Sequence, residues 1–181
     1  MKFITTKFDT AWLIQPEVFK DERGFFLESY SKDVFFNKGI TSEFVQDNHS
    51  RSEQIGVLRG IHFQLPPFEQ AKLVRVTRGA VFDVIVDLRK TSPTYGQWQA
   101  FELTAENFKM IYAPRGFAHG FCTLKPHTEF QYKVDNVYAP DHDSGIMWDD
   151  PTLSIDWPIH KPILSVKDSQ LGPFSDISSP F

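Results

Sequence analysis

Between residues 58 and 64 the chain reads LRGIHFQ, which sets Arg59 and His62 inside an apolar, strand-like run. Shortly after it, in AKLVRV, Lys72 opens a second such run. Side chains alternate across a strand, so Lys72 shares a face with Val74 and Val76 and should point inward. By the same parity Tyr132, in TEFQYKV, lies with Phe130 and Val134, and His62 lies with Leu58 and Gln64. Arg59 falls on the opposite face from His62, unless Gly60 hosts a bulge that re-aims it. If these faces line one barrel, its mouth holds a base, a cation and a phenol. Taken singly, a strand histidine is more often a hydrogen-bonded core residue, and a tyrosine on an apolar face is more often core than acid. Lys72 resists such a reading, because burying an ammonium without a counter-charge is costly.

The elements that must position these groups are mostly strands. Eighteen Phe and twelve Pro favour short strands and turns over long helices. VRVTRGAVFDVIVDLRK reads as two strands joined at Arg78-Gly79, with Phe82, Val84, Val86 and Leu88 alternating against Asp83 and Asp87. KMIYAP, HGFCTL and TEFQYKV read as further short strands between Pro- and Gly-containing turns. SKDVFFNKG predicts one short helix with Ser31 as N-cap and Gly39 as terminator. From Asp150 onward, Pro151, Pro158, Pro162, Pro173 and Pro180 predict an irregular arm wrapped around the barrel. The expected fold is mainly β: one domain over 1–181, an antiparallel jelly-roll barrel with N- and C-terminal arms and few short helices.

Charge and composition narrow the function classes. A net charge of −4 and a pI near 5.8 argue against a nucleic-acid surface, which needs a basic face. No stretch approaches the ~20 apolar residues of a membrane span, and the N-terminal MKFITTKFDTAW lacks a signal peptide's apolar run. With the single Cys122, which cannot form an intrachain disulfide, these features lead us to expect a soluble cytoplasmic protein. PRGFAHGF resembles the second motif of the cupin superfamily, in which a histidine, here His119, follows P-x-G-x-x. The H-x-H pair of metal-binding cupins is replaced by His62-Phe63-Gln64, so no metal site is expected.

Across nearly the whole chain, DERGFFLESY, FVQDNHSRS, GVLRGIHFQ, QAKLVRVTRGAVFDVIVDLR, APRGFAHGF, YAPDHDSGIMWDDP and ILSVKD occur in order. In these pieces and their spacing the sequence resembles the dTDP-4-dehydrorhamnose 3,5-epimerase family, cupin-like enzymes acting on a dTDP-linked 4-keto-6-deoxy sugar. The resemblance implies His62 as general base with Asp168 as its partner, Tyr132 as general acid, and Lys72 near the keto oxygen. It places Arg23 and Arg59 at the diphosphate, Glu28, Gln46 and Asn48 at the nucleoside, and Tyr138 stacked on the thymine. His119 matches a pocket residue, and Lys167 a binding position beside Asp168. Family homodimers exchange N-terminal strands, so Arg23 and Glu28 are expected to serve the neighbouring subunit's site.

The implied chemistry is consistent with the residue types. Protons beside a ketone are weakly acidic, the enolate needs a preorganised positive partner, and inversion needs a donor on the far face. No cofactor is implied. The chain departs from the family around DHDSGI, where Asp143 and Ser144 replace part of E-x-x-R-G. Asp143 is one methylene shorter, so its ligand contact is expected to be lost or bridged by water. KVDNVYAP also differs from the usual Thr-rich version, which leaves room for a single-centre epimerase.

Overall fold

The run from Lys72 to Asp87 divides at Gly79 into the strands Lys72–Arg78 and Ala80–Asp87. Gly79 has φ +79°, a conformation that L side chains rarely adopt, and a Cβ there would collide with the Thr128 side chain. The two strands do not pair with each other; this corner delivers them to different sheets. In the computed structural model, which describes residues 1–181, the remaining strands follow the same division.

In chain order the elements are β1 (Lys2–Thr5), β2 (Trp12–Gln15), β3 (Val18–Asp21), β4 (Gly24–Leu27), α1 (Lys32–Asn37), β5 (Gln46–Ser52) and β6 (Leu58–Gln64). They continue with β7 (Lys72–Arg78), β8 (Ala80–Asp87), β9 (Trp98–Thr104), β10 (Met110–Ala113), β11 (Phe117–Thr123), β12 (Thr128–Val134) and β13 (Asp143–Gly145). One sheet runs β1-β2-β10-β7-β12-β5 and the other β13-β6-β11-β8-β9, every ladder antiparallel. The helix forms where the sequence predicts it, between Ser31 and Gly39, although the Ser31 side chain makes no capping bond.

Three apolar layers follow from this plan. The barrel interior is filled by residues of both sheets, among them Val74, Val76, Val81, Ile85, Phe121 and Phe130. Phe121 and Phe130 stack with centroids 4.1 Å apart, joining the two walls. Truncating the buried Phe130 to Ala would cost about 3–5 kcal/mol. The outer face of the six-stranded sheet is covered by Phe35 of α1 with Ile14, Ile40 and Met110.

The outer face of the five-stranded sheet lies under the Pro-rich arm. Leu153, Trp157 and Ile146 pack there on Leu58, Ile61 and Val84. This arm decides which face of β8 is which. Its apolar residues Val84, Val86 and Leu88 face the arm, whereas Val81, Asp83 and Ile85 face the barrel. Leu58 likewise belongs to the outer layer with Ile61 and Phe63, a correction to the parity expected for β6. The cause is a bulge: His62 pairs with His119 but Arg59 pairs with Phe121, three residues against two. Gly60 permits it, with φ +115° and no room for a Cβ, which would lie 2.7 Å from Gly120 Cα and 2.8 Å from the His119 carbonyl oxygen.

Candidate active site

The bulge has a direct consequence for chemistry. Phe121 and His119 are two apart on β11 and share a face, so their partners Arg59 and His62 share one too. Strict alternation would have sent the arginine outside; Gly60 instead brings it to the side of the histidine. From the facing sheet, Lys72, Val74 and Val76 lie opposite Val134, Tyr132 and Phe130 of β12. Gln46 and Asn48 on β5 continue these rows beside Val134 and Tyr132. The two walls enclose an open cavity of about 380 Å³ that His62, His119, Arg59, Lys72, Tyr132 and Asp168 line.

Asp168 reaches this cavity because the arm is docked just before it. Val57 and Ile163 form a parallel bridge, and the Leu58 N–H donates to the Ile163 carbonyl. The Asp168 N–H then donates to Ser165 Oγ as the chain turns. That turn sets the buried carboxylate 2.5 Å from His62 Nε2. Burial alone would raise the Asp168 carboxyl, but the His62 bond and charge, the Ser165 bond and Lys167 together hold it below its ordinary value. With Nε2 engaged, Nδ1 is the His62 nitrogen left for proton transfer.

On the opposite wall, burial pulls the Lys72 ammonium down to about 8 from 10.5, against the opposing charges of Asp143 and Asp83. Its Nζ donates to the His62 carbonyl oxygen at 3.4 Å, which places the cation beside the base. Burial raises the Tyr132 phenol, with the Arg59 charge opposing, so the hydroxyl keeps its proton at neutral pH. Arg59 makes only a 3.5 Å contact to the Arg51 carbonyl and no ion pair, which leaves its guanidinium available to an anion.

At the mouth, Gln64 staples the loop that carries Tyr138, donating to the Phe68 and Val137 carbonyls and accepting from the Ala139 N–H at 2.8 Å. Gln46 donates to Asn48 at 2.9 Å and accepts from the Tyr138 N–H. Asp143, opposite Gln64 in β13, accepts from the Tyr138 hydroxyl at 2.8 Å and is ion-paired with Lys167. The shortened side chain is therefore anchored within the protein at the rim.

Gln46, Asn48, Tyr138 and Asp143 stand outside the lining of this cavity, and Arg23 and Glu28 lie away from it altogether. Arg23 lies at the tip of the β3–β4 hairpin, held by Asp21 at 2.5 Å, and Glu28 is exposed just beyond it. The reason is topological, since the hairpin is a separate two-stranded sheet that pairs with neither wall. One residue escaped the sequence reading: Asp83, fully buried, hydrogen-bonded to His119 Nε2 at 2.9 Å. Its only signal was an aspartate between apolar neighbours on a strand.

A histidine paired with a carboxylate on one wall, facing a lysine and a tyrosine on the other, is an arrangement chemically able to move protons, set in an antiparallel β barrel. Residues 5–176 match the family model described as dTDP-4-dehydrorhamnose 3,5-epimerase, and the chain belongs to that family of isomerases. It is 49% identical over 177 residues to the dTDP-4-dehydrorhamnose 3,5-epimerase of Shigella flexneri, covering 97% of each. Among solved structures it superposes with a TM-score of 0.93 on the Bacillus anthracis enzyme with TDP and PPi bound, at 53% identity over 95% of this chain and 98% of that one. A 3,5-epimerase from Legionella pneumophila in complex with dTDP-4-keto-L-rhamnose gives a TM-score of 0.93 and 44% identity, covering 97% of this chain and 94% of that one.

Proposed function

We propose that the chain inverts carbon 3 and carbon 5 of dTDP-4-dehydro-6-deoxy-D-glucose, giving dTDP-4-dehydro-L-rhamnose for dTDP-rhamnose biosynthesis. The observation that carries this is the 2.5 Å contact of His62 with Asp168 on the wall facing Lys72 and Tyr132. His62 Nδ1 removes the proton at each carbon beside the ketone, and Asp168 stabilises the imidazolium that forms. Lys72 meets the charge that develops on the carbon 4 oxygen. Tyr132 returns a proton to the opposite ring face, which inverts the centre. Only protons move, so the scheme requires no redox cofactor.

The nucleotide is held at the rim. Arg59 meets the diphosphate, Tyr138 stacks on the base, and Gln46, Asn48, Lys167 and Asp143 frame the entrance. Arg23 and Glu28 serve the cavity of a second copy in a homodimer. Phe19, Phe25 and Phe26 on the same hairpin are 58%, 58% and 70% exposed, which supports a protein partner for it. No helix is long and apolar enough to cross a membrane, and a cytoplasmic location accords with the lone buried Cys122.

Proton NMR of the keto-sugar nucleotide in deuterated water tests the reading. Exchange at both carbons, with product of the L-rhamno configuration, is the expected result. Exchange at one carbon alone makes the chain a single-centre epimerase, and no exchange with wild-type protein overturns the assignment.

A further inference from the structure

The barrel holds a second histidine–aspartate pair, in which the family resemblance gives His119 a place in the pocket and nothing gives Asp83 a task. His119 and Asp83 stand on adjacent strands, their side chains 8% and 0% exposed, with Nε2 and Oδ2 2.9 Å apart. No arginine or lysine reaches the Asp83 carboxylate, and its Oδ1 is buried without any hydrogen-bond partner. An apolar residue matching its barrel-facing neighbours Val81 and Ile85 would avoid that desolvation cost. A stabilising role therefore does not account for Asp83, which leaves its one hydrogen bond, to His119, and the charge it presents to Lys72.

That bond has a defined chemical effect. A carboxylate only accepts, so the His119 nitrogen it meets carries the proton. In the neutral imidazole the second nitrogen, Nδ1, then presents a lone pair. It has no protein partner, yet it is not among the buried unpartnered atoms, so it opens onto the cavity that His119 lines. His119 is also the cross-strand partner of His62, which sets this acceptor beside the base.

We propose that Asp83 is a positioning residue: it fixes His119 in the Nε2–H tautomer so that Nδ1 accepts a hydrogen bond from a hydroxyl of the bound sugar and seats the ring against His62. The inference rests on the epimerase reading. It divides the polar work of the cavity, with Lys72 taking the ketone oxygen and His119 a hydroxyl. It also explains a buried carboxylate with one oxygen unused, since one oxygen suffices to set a tautomer.

Three measurements test it. Long-range proton–nitrogen NMR of the wild-type protein should show His119 protonated at Nε2; a proton on Nδ1 overturns the proposal without any variant. Asp83→Asn removes the charge and the obligate acceptor at nearly constant shape. It should raise KM by about 10- to 100-fold, the range for losing one oriented hydrogen bond, with a smaller change in kcat. Affinity for dTDP, which lacks the sugar, should stay at the wild-type value, and Tm should not fall. In a His119→Ala background the effect of Asp83→Asn on KM, measured at about pH 6 where Lys72 stays charged, should vanish, because one residue acts through the other. An additive effect, an equal loss of dTDP affinity, or a lower Tm with unaltered KM would each make Asp83 a structural residue and sink the idea. Absence of wild-type turnover would instead defeat the epimerase reading, leaving the tautomer measurement standing.

Discussion

Two histidine–aspartate pairs face the same cavity, and they are built differently. His62 and Asp168 are 106 residues apart in sequence, and one member arrives on an irregular arm. His119 and Asp83 are 36 residues apart, on neighbouring strands fixed by a continuous ladder. The His62 side chain is 28% exposed, that of His119 only 8%. A residue that trades protons with substrate and solvent needs access to both, and the arm-borne pair has it. A residue that must hold one orientation needs a rigid surrounding, and the strand-borne pair has that. The same two side-chain types thus suit the base proposed in one setting and the fixed hydrogen-bonding surface proposed in the other.

The sharpest way to break this comparison is to remove each imidazole in turn. His62→Ala should reduce deuterium incorporation at carbon 3 and carbon 5 together by about 10²–10⁴-fold, the usual weight of a general base. His119→Ala should instead raise KM by about 10- to 100-fold, slow turnover less than His62→Ala does, and leave exchange at both carbons detectable. Tyr132→Phe supplies the third reading. An enolate over Lys72 can still recapture a proton from His62 on its original side, so exchange should persist while inversion slows. Isotope exchange followed by NMR, with product configuration scored separately, checks all three. Equal losses in His62→Ala and His119→Ala would erase the distinction between the pairs.

The two pairs also differ in how far the sequence betrayed them. Parity on β7 and β12 correctly turned Lys72 and Tyr132 inward, because each strand has one face toward the barrel and regular alternation. On β6 parity failed, since Gly60 inserts an extra residue between Arg59 and His62 and exchanges the faces before it. A bulge is a tertiary fit to Gly120 on the next strand, and alternation cannot register it. On β8 both faces are buried, one by the barrel and one by the arm, so alternation carried no sign of which side Asp83 took. Asp168 was accessible only through family resemblance. Nothing local in SVKDSQ specifies a partner on β6, and the docking of Ile163 on Val57 that delivers it is a contact across the whole fold.

A finer separation comes from Lys72, which lies close enough to feel Asp83. Its folded value of about 8 lies below the 10.5 of a free lysine, burial being the main cause, with Asp143 and Asp83 opposing and Lys167 adding to the fall. The Lys72 cation proposed to meet the ketone oxygen is therefore present below about 8 and lost above it, so kcat/KM of the free enzyme should decline as pH rises through that value. Asp83→Asn removes one opposing charge and should move this alkaline limb to lower pH. Asp168→Asn should leave the limb where it is, because Asp168 is not among the charges acting on Lys72. A limb that moved equally in both variants would mean that the two carboxylates act on the cavity as one field.

The smallest expected effect concerns stability in acid. The Asp168 carboxyl is held below its ordinary 3.8 in the folded protein, so above that value the native state gains stability from the charged form. As pH falls through the depressed value the carboxylate protonates in both states and that gain disappears. Asp168→Asn has nothing to lose in this window. Its Tm should be lower than wild type at about pH 7, and the gap should start to close as pH falls below the ordinary 3.8 and disappear only below the depressed folded value. Scanning calorimetry across that range measures the convergence. If the two curves ran parallel, the His62–Asp168 contact would contribute no charge-dependent stability. The carboxylate's hold on the imidazole would then have to be read from the exchange rates alone.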